Sequence, residues 1–278
     1  MYHSVESKIK EFMNLKNKKI GVVGCGWLGL PLAKEFLSHK AEIHGTSRSE
    51  EKLNELKEQG ITPHRLTFDS FGNQPWMKEL DILILNIPPS DFKFIYAEKM
   101  AELASQLGAS AKLIFVSSTS VYPDTNENVN EETKANGTNR SGPWVRQAEI
   151  VLEKQLGKQL TVIRMAGLVG GKRNPVRFMS GKSYPGGQTP VNLIHREDCI
   201  GLIFNVITKN YWGEILNGCA PDHPVKADYY TNVANEFKIA PPIFTDNKTS
   251  YKLVDGTKAV KDLGYSYKYS SPNEFPLN

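Results

Sequence analysis

Three glycines spaced G-x-G-x-x-G, Gly24, Gly26 and Gly29, stand where the apolar run Lys19-Ile-Gly-Val-Val23 gives way to an amphipathic one. That spacing suits binding of a diphosphate. The first glycine permits a tight turn out of a strand, the second lets backbone approach the phosphates, and the third lets the following helix pack closely. A helix N-terminus starting near Trp27 and Leu28 then offers unpaired N–H groups and the positive end of its dipole to the anion. Some 20 residues on, where a carboxylate commonly holds the adenosine 2′-hydroxyl, the chain reads His44-Gly-Thr-Ser-Arg-Ser49 with no acid. Ser47 and Arg48 are hydroxyl and guanidinium donors, which suit a 2′-phosphate and favour NADP over NAD; a plain surface arginine has the same composition.

A second group of reactive side chains, Ser117, Ser118, Thr119, Ser120 and Tyr122, follows the apolar stretch Lys112–Val116. Hydroxyls leaving a strand serve a site or only a turn, and composition alone allows both. The three cysteines, Cys25, Cys199 and Cys219, are far apart and form no C-x-x-C pair. Neither a disulfide framework nor a zinc site is indicated, and a reducing cytoplasm fits. The six histidines show no metal-ligand spacing in sequence, so no metal is expected.

The elements that must position these groups follow from periodicity. Strands are expected at residues 19–23, 41–46, 64–69, 81–89, 112–122, 160–165 and 214–220, with a short one at 250–254, a helix directly after the glycines, helices over 50–59, 91–107, 144–156, 226–237 and 256–263, and an apolar helix ending near Ile207. Asp81-Ile-Leu-Ile-Leu-Asn-Ile-Pro-Pro89 is an unbroken apolar run of the kind buried on both faces of a parallel sheet. Asn86, Ile87 and Pro88 would turn past the pyrophosphate, and Asp69 would lie near the adenine edge. Strand and helix alternating five times by residue 122 specify an α/β, doubly wound parallel-sheet Rossmann fold whose ligands sit at the carboxyl ends of the strands. Residues 1–18 read as a flexible, lysine-rich N-terminal extension and 19–165, completed by 193–220, as the dinucleotide-binding core. Residues 166–192 and 221–278 read as a substrate-side lid and a small C-terminal substrate-binding subdomain. The lid is rich in glycine and carries Lys172, Arg173, Arg177 and Lys182, which either hold an anionic substrate or are simply solvated.

The net charge of +4 is concentrated at the start of the chain. Lys8, Lys10, Lys16, Lys18 and Lys19 face only Glu6 and Glu11 there, which leaves residues 20–278 at +1. A nearly neutral body argues for a small-molecule substrate and against nucleic acid as partner. The start of the chain lacks the apolar core of a signal peptide, and no apolar run reaches the roughly 18 residues a membrane span requires.

Taken together, the glycine turn, Ser117-Ser-Thr-Ser-Val-Tyr122, Arg164-Met-Ala-Gly-Leu-Val-Gly170, Asn192-Leu-Ile-His195 with Asp198, and Asp255-Gly-Thr-Lys-Ala-Val-Lys-Asp-Leu-Gly-Tyr265 resemble the extended short-chain dehydrogenase/reductase superfamily of NAD(P)-dependent epimerases and dehydratases. More narrowly, Gly26–Ala33, Arg164–Gly170 and Asn217–Pro224 resemble the atypical YeeZ-like group. The resemblance implies an NADP or NAD cofactor contacted by Gly24, Gly26, Trp27, Leu28, Gly29, Ser47, Arg48, Asp69, Asn86, Ile87, Pro88, Ser117 and Ala166. It also implies a substrate-polarising hydroxyl at Ser118; the candidates for a relocated proton donor are Ser118, Tyr122, Tyr184 or His195, with Ser118 and Tyr122 the catalytic pair. The superfamily's Tyr-x-x-x-Lys pair is missing. Aligning Glu149 on the acid that follows that pair puts Ser141 and Val145 at its two positions, and none of the eleven tyrosines has a lysine four residues later. A tyrosine titrates near ~10 and needs a neighbouring cation to work at neutral pH, so two functions remain. One is an oxidoreductase or epimerase with a relocated proton donor, acting on a small polar substrate of the phosphorylated or nucleotide-sugar kind. The other is a protein that senses the nucleotide without turning anything over.

Overall fold

A computed structural model describes residues 15–139, 141–245 and 249–276. Its central sheet has seven strands in the order β11-β7-β5-β4-β1-β2-β3. These are β1 Lys19–Val23, β2 Glu42–Ser47, β3 Thr62–Arg65, β4 Ile82–Leu85, β5 Lys112–Ser118, β7 Leu160–Met165 and β11 Ile215–Gly218. The sheet is parallel and the fold an α/β Rossmann-like one, as the alternation of elements requires. Outside it lie the short strands β6 Asn128–Val129, β8 Gly167–Val169, β9 Ser183–Pro185, β10 Leu193–His195 and β12 Ile243–Thr245. With β13 Leu253–Val254 they form the two-stranded pairs β8–β10, β9–β12 and β6–β13. The helices are α1 Gly29–Ser38, α2 Glu50–Glu58, α3 Tyr96–Ala104, α4 Gly142–Leu156, α5 Val176–Met179, α6 Arg196–Thr208, α7 Lys226–Glu236 and α8 Thr257–Leu263.

Packing divides the chain into two compact units. The first comprises Met1–Ser117, Pro143–Ile163 and Ile203–Ile215; the second comprises Ser118–Gly142, Arg164–Leu202 and Leu216–Asn278. In the first, β4 is buried at every position, and β1 at all but its first residue. The apolar run that marked β4 as a two-faced strand therefore has its physical cause in layers on both sides. Gly29, Leu32, Ala33 and Phe36 form the buried face of α1, and Phe36 stacks on Phe204 of α6. Of the extension expected over residues 1–18, residues 1–14 lie outside the described residues. Leu15 is buried, and its N–H donates to the His39 carbonyl at 3.1 Å.

The third strand differs from its expected span of residues 64–69. It ends at Arg65 because Thr67 and Ser70 close a capping box, Thr67 N–H donating to Ser70 Oγ at 2.9 Å, and residues Phe68–Ser70 coil into a 3₁₀ turn. The helix expected from residue 91 starts only at Tyr96, after two 3₁₀ turns. Pro88, restricted by the proline after it, is extended, Pro89 opens the first of these turns, and Lys93 is left-handed with φ 45°.

In the second unit an apolar cluster of Val169, Val176, Leu193, Tyr229, Val233 and Phe275 forms the core. Asp198, in the first turn of α6, fastens the segment after α8. Its carboxylate accepts from Tyr265 Oη at 2.8 Å, Lys268 N at 2.7 Å and Tyr269 N at 3.3 Å. Burial nonetheless pushes its pKa up, outweighing those donors.

Candidate functional site

The glycine turn in the first unit has a different constraint at each glycine. Gly24 is left-handed, with φ 97°, and a Cβ there would meet the Asn86 carbonyl oxygen at 2.5 Å. A Cβ on Gly29 would meet the Gly24 carbonyl oxygen at 2.2 Å, so α1 comes this close to β1 only because residue 29 lacks a side chain. At Gly26 an added Cβ would meet nothing within 4 Å. The protein's own packing thus accounts for two of the three glycines and leaves the middle one facing open space. No side chain caps α1, whose N-cap is Leu28. A turn with space over its middle glycine and an uncapped helix start fits a dinucleotide pyrophosphate.

Two neighbours brace the turn. Thr46, buried in β2, accepts the Gly24 N–H on its hydroxyl at 3.0 Å and the Cys25 N–H on its carbonyl at 3.1 Å. Asn86 Nδ2 donates to the Gly24 carbonyl at 3.3 Å, and the Ile87 carbonyl that follows accepts from Tyr96 Oη at 2.7 Å. The turn at Asn86, Ile87 and Pro88 therefore lies against the glycines. Cys25 points into the core, where its thiol donates to the Val22 carbonyl and burial pushes its pKa up to about 12. It is no nucleophile at neutral pH.

Trp27 is half-buried and Leu28 buried. Ser47 is half-buried at the end of β2, with its Oγ accepting the Ser49 N–H at 3.4 Å, and Arg48 is exposed beside it. Asp69 is exposed in the 3₁₀ turn after β3. Ser117 is turned inward. Its hydroxyl donates to Glu149 Oε1 at 2.6 Å, and the other oxygen of that buried carboxylate accepts from Arg146 Nη1 at 2.9 Å. Val145, at the position aligned with the lysine of the missing pair, is buried.

In the second unit, Ser118 is half-buried and its Oγ accepts the Ser120 N–H at 3.1 Å, which leaves its own O–H to donate elsewhere. Tyr122 is fully buried: its hydroxyl donates to Asn217 Oδ1 at 2.9 Å and accepts from Arg164 Nη1 at 2.8 Å. Burial holds its phenol above the usual range, although the Arg164 guanidinium beside it works the other way. Asn217 extends this network, its Nδ2 donating to the Asp255 carbonyl and its N–H to Glu131 Oε1. Ala166 is buried and spends its N–H on the Gly218 carbonyl at 2.8 Å. His195 is buried among the rings of Tyr269 and Phe275; its Nδ1 accepts the Glu197 N–H at 3.3 Å, and its Nε2 has no partner among the described residues. Burial lowers its pKa. Tyr184 Oη donates to the Phe178 carbonyl at 3.5 Å. Of the basic lid residues, Arg177 stacks on the Phe237 ring at 4.4 Å.

The residues missed in sequence are Thr46 and Asn217. Thr46 looked like one more β-branched strand residue, and only the pairing of β2 with β1 brings its hydroxyl to Gly24. Asn217 lies 95 residues from Tyr122, and nothing local marks the two as partners.

Residues 19–142 match the family model described as the NAD binding domain of 6-phosphogluconate dehydrogenase. The chain is 32% identical over 272 residues to Protein YeeZ of Escherichia coli strain K12, covering 94% of this chain and 99% of that one. Among solved structures it is similar to UDP-glucuronic acid 4-epimerase from Bacillus cereus in complex with NAD, with TM-score 0.74, 17% identity and 92% and 95% of the two chains covered. It is also similar to a human epimerase family protein with NADPH, with TM-score 0.68, 16% identity and 91% and 96% covered. The chain therefore carries an NAD(P)-binding domain on an epimerase/dehydratase-like fold. Among the described residues, no helix is long and apolar enough to cross a membrane.

Proposed function

The chain belongs to the YeeZ family, and from that premise we propose that it is an NADP-preferring oxidoreductase or epimerase acting on a small polar substrate, phosphorylated or carried on a nucleotide. The observation that carries the reading is the open space over Gly26 beside an uncapped helix start, which suits the pyrophosphate of a dinucleotide. Gly24, Gly29 and Leu28 shape that cradle and Asn86–Pro88 flank it, while Ser47 and Arg48 reach the 2′-phosphate. The proposal gives residues 19–165 and 193–220 to cofactor binding, residues 166–192 and 221–278 to the substrate, and the cytoplasm as the compartment, since Cys25, Cys199 and Cys219 are free thiols.

The bound nicotinamide supplies hydride transfer. Ser118 supplies polarisation in this reading: with its Oγ already accepting the Ser120 N–H, its O–H donates to a substrate oxygen. Tyr122 stands second, since its hydroxyl would first have to leave Asn217 and Arg164. A nucleotide sensor is the other reading, and the buried Val145 and enclosed Tyr122 favour it, because neither can pass a proton to solvent.

Fluorescence titration with NADPH and NADH tests the cofactor half. NADPH is expected to bind more tightly, and Arg48→Ala to remove about 1.5–3 kcal/mol of that preference, the scale of a hydrogen bond to a charged group. Equal affinities, or an NADH preference untouched by the substitution, would refute it.

A further inference from the structure

Arg65 is the last residue of β3, and the register sets it level with Ser47, the last residue of β2. Level partners in adjacent strands point to the same side of the sheet, with strand axes about 5 Å apart. That side is the one α2 covers, because a Cβ on Gly45, also on it, would meet Leu56 Cδ1 of α2 at 3.3 Å. The Arg65 side chain runs toward the start of the same helix, where its Nη1 donates to Glu50 Oε2 at 3.4 Å. The Thr67–Ser70 capping box stops β3 directly after Arg65 and so leaves it at the carboxyl end of the sheet, where ligands of parallel α/β sheets collect. Beside it, Ser47 Oγ accepts the Ser49 N–H at 3.4 Å and keeps its own O–H to donate. Arg65 and Glu50 are 61% and 69% exposed, and a long, solvated ion pair of this kind holds little stability and exchanges readily.

The geometry points to Arg65 as a second specificity residue for NADP, which leaves Glu50 and joins Ser47 and Arg48 on the adenosine 2′-phosphate. This rests on the reading of Ser47 and Arg48 given above and adds to it a residue of the neighbouring strand. A phosphate monoester carries about −1.5 to −2 charges at pH 7. Glu50 and Glu51 open α2 just past Ser47, so such an anion meets two carboxylates there, and Arg48 alone does not offset them. A second guanidinium does, and its planar fork of donors matches phosphate oxygens. The exchange favours the phosphate, since a charge-assisted bond to it is shorter than the 3.4 Å contact to Glu50. A ribose 2′-hydroxyl brings no charge, so NADH leaves the Arg65–Glu50 pair in place. Arg65 thereby discriminates between the cofactors rather than strengthening both.

The test is calorimetric titration of the full chain with NADPH, NADH, adenosine 2′,5′-bisphosphate and AMP. Arg65→Ala should weaken NADPH and the bisphosphate at least about tenfold and leave NADH and AMP within about twofold. Arg65→Lys should recover part of the loss, because an ammonium keeps the charge without the fork. Glu50→Gln should tighten NADPH. The double variant Arg65→Ala/Glu50→Gln separates contact from screening: it should bind NADPH at least about tenfold more weakly than Glu50→Gln alone. Thermal melts check that each variant folds as wild type does, as expected for an exposed pair. Equal NADPH affinity in the double variant and Glu50→Gln would mean that Arg65 only screens Glu50, and would overturn the proposal. So would an NADPH preference lost in Arg48→Ala but intact in Arg65→Ala, which leaves the cofactor reading standing. Equal affinity of wild type for NADPH and NADH would overturn both.

Discussion

Thr46 Oγ1 accepts the N–H of Gly24 at 3.0 Å, so a side chain of β2 fixes the turn by which the chain leaves β1. Thr46→Val keeps the shape and removes the acceptor, leaving that N–H without its partner. The expected cost is about 1–3 kcal/mol of stability, with weaker NADPH binding as the turn loosens. Thr46→Ser should restore both. Urea denaturation and cofactor titration of the two variants check this, and a valine variant as stable as wild type would show that the hydroxyl is dispensable.

Gly26 and Gly29 should separate binding from folding. Gly26→Ala places a methyl group in open space, so stability should hold or rise by up to about 1 kcal/mol while NADPH binding disappears. Gly29→Ala drives a carbon to 2.2 Å from the Gly24 carbonyl and should destabilise the fold by about 1–3 kcal/mol or more. Thermal melts with a binding assay read both quantities. Retained binding in Gly26→Ala would place the pyrophosphate elsewhere.

The catalytic reading turns on two serines. Ser118→Ala should lower whatever turnover of carbonyl or nucleotide-sugar substrates exists by about 10²–10⁴-fold, the usual worth of acid–base assistance. Ser141→Ala should change it little, because no cation stands one helical turn on, where Val145 is buried. Assays of wild type and both variants with each cofactor decide the matter. Brisk turnover that collapses only in Ser141→Ala would mean that a proton relay has been rebuilt around that residue.

His195 should make the second unit sensitive to mild acid. Burial holds its folded pKa below the unfolded 6.5, so between the two values the unfolded chain binds more protons and stability falls as pH falls. His195→Phe removes this contribution. The stability of wild type minus that of the variant should therefore fall on going from neutral to mildly acidic pH. A difference that stays constant in urea midpoints over that range would mean that His195 titrates normally in the fold.

The sheet was legible wherever burial writes itself into local sequence. The apolar runs of β1 and β4 and the glycines between β1 and α1 need only their immediate neighbours to be read. Side-chain capture was not legible. At Thr67 and Ser70 two hydroxyls close on each other and end β3 early, although the residues there are good strand formers. Prolines 88 and 89 displaced the start of α3 in the same local way, and their effect on the preceding turn could have been anticipated. Contacts set by strand order were out of reach. Thr46 with Gly24, His44 with His64 and Tyr122 with Asn217 exist only after β2, β3 and β11 have taken their places. For the same reason Ser117 reads in sequence as one hydroxyl among five, whereas in the fold Glu149 accepts from it inside the first unit.

The carboxylate of Asp198 has an implication for how the chain matures during synthesis. Its three donors are supplied by Tyr265, Lys268 and Tyr269, so the ribosome delivers them some seventy residues after the acceptor. Until then α6 begins with an acid that only water can solvate, and the apolar cluster around Tyr229 lacks Phe275. A nascent chain stalled before residue 265 should thus hold its second unit open and recruit chaperones that a chain extended past Phe275 no longer needs. The glycine turn and its Thr46 brace, complete within the first 50 residues, can order long before that moment.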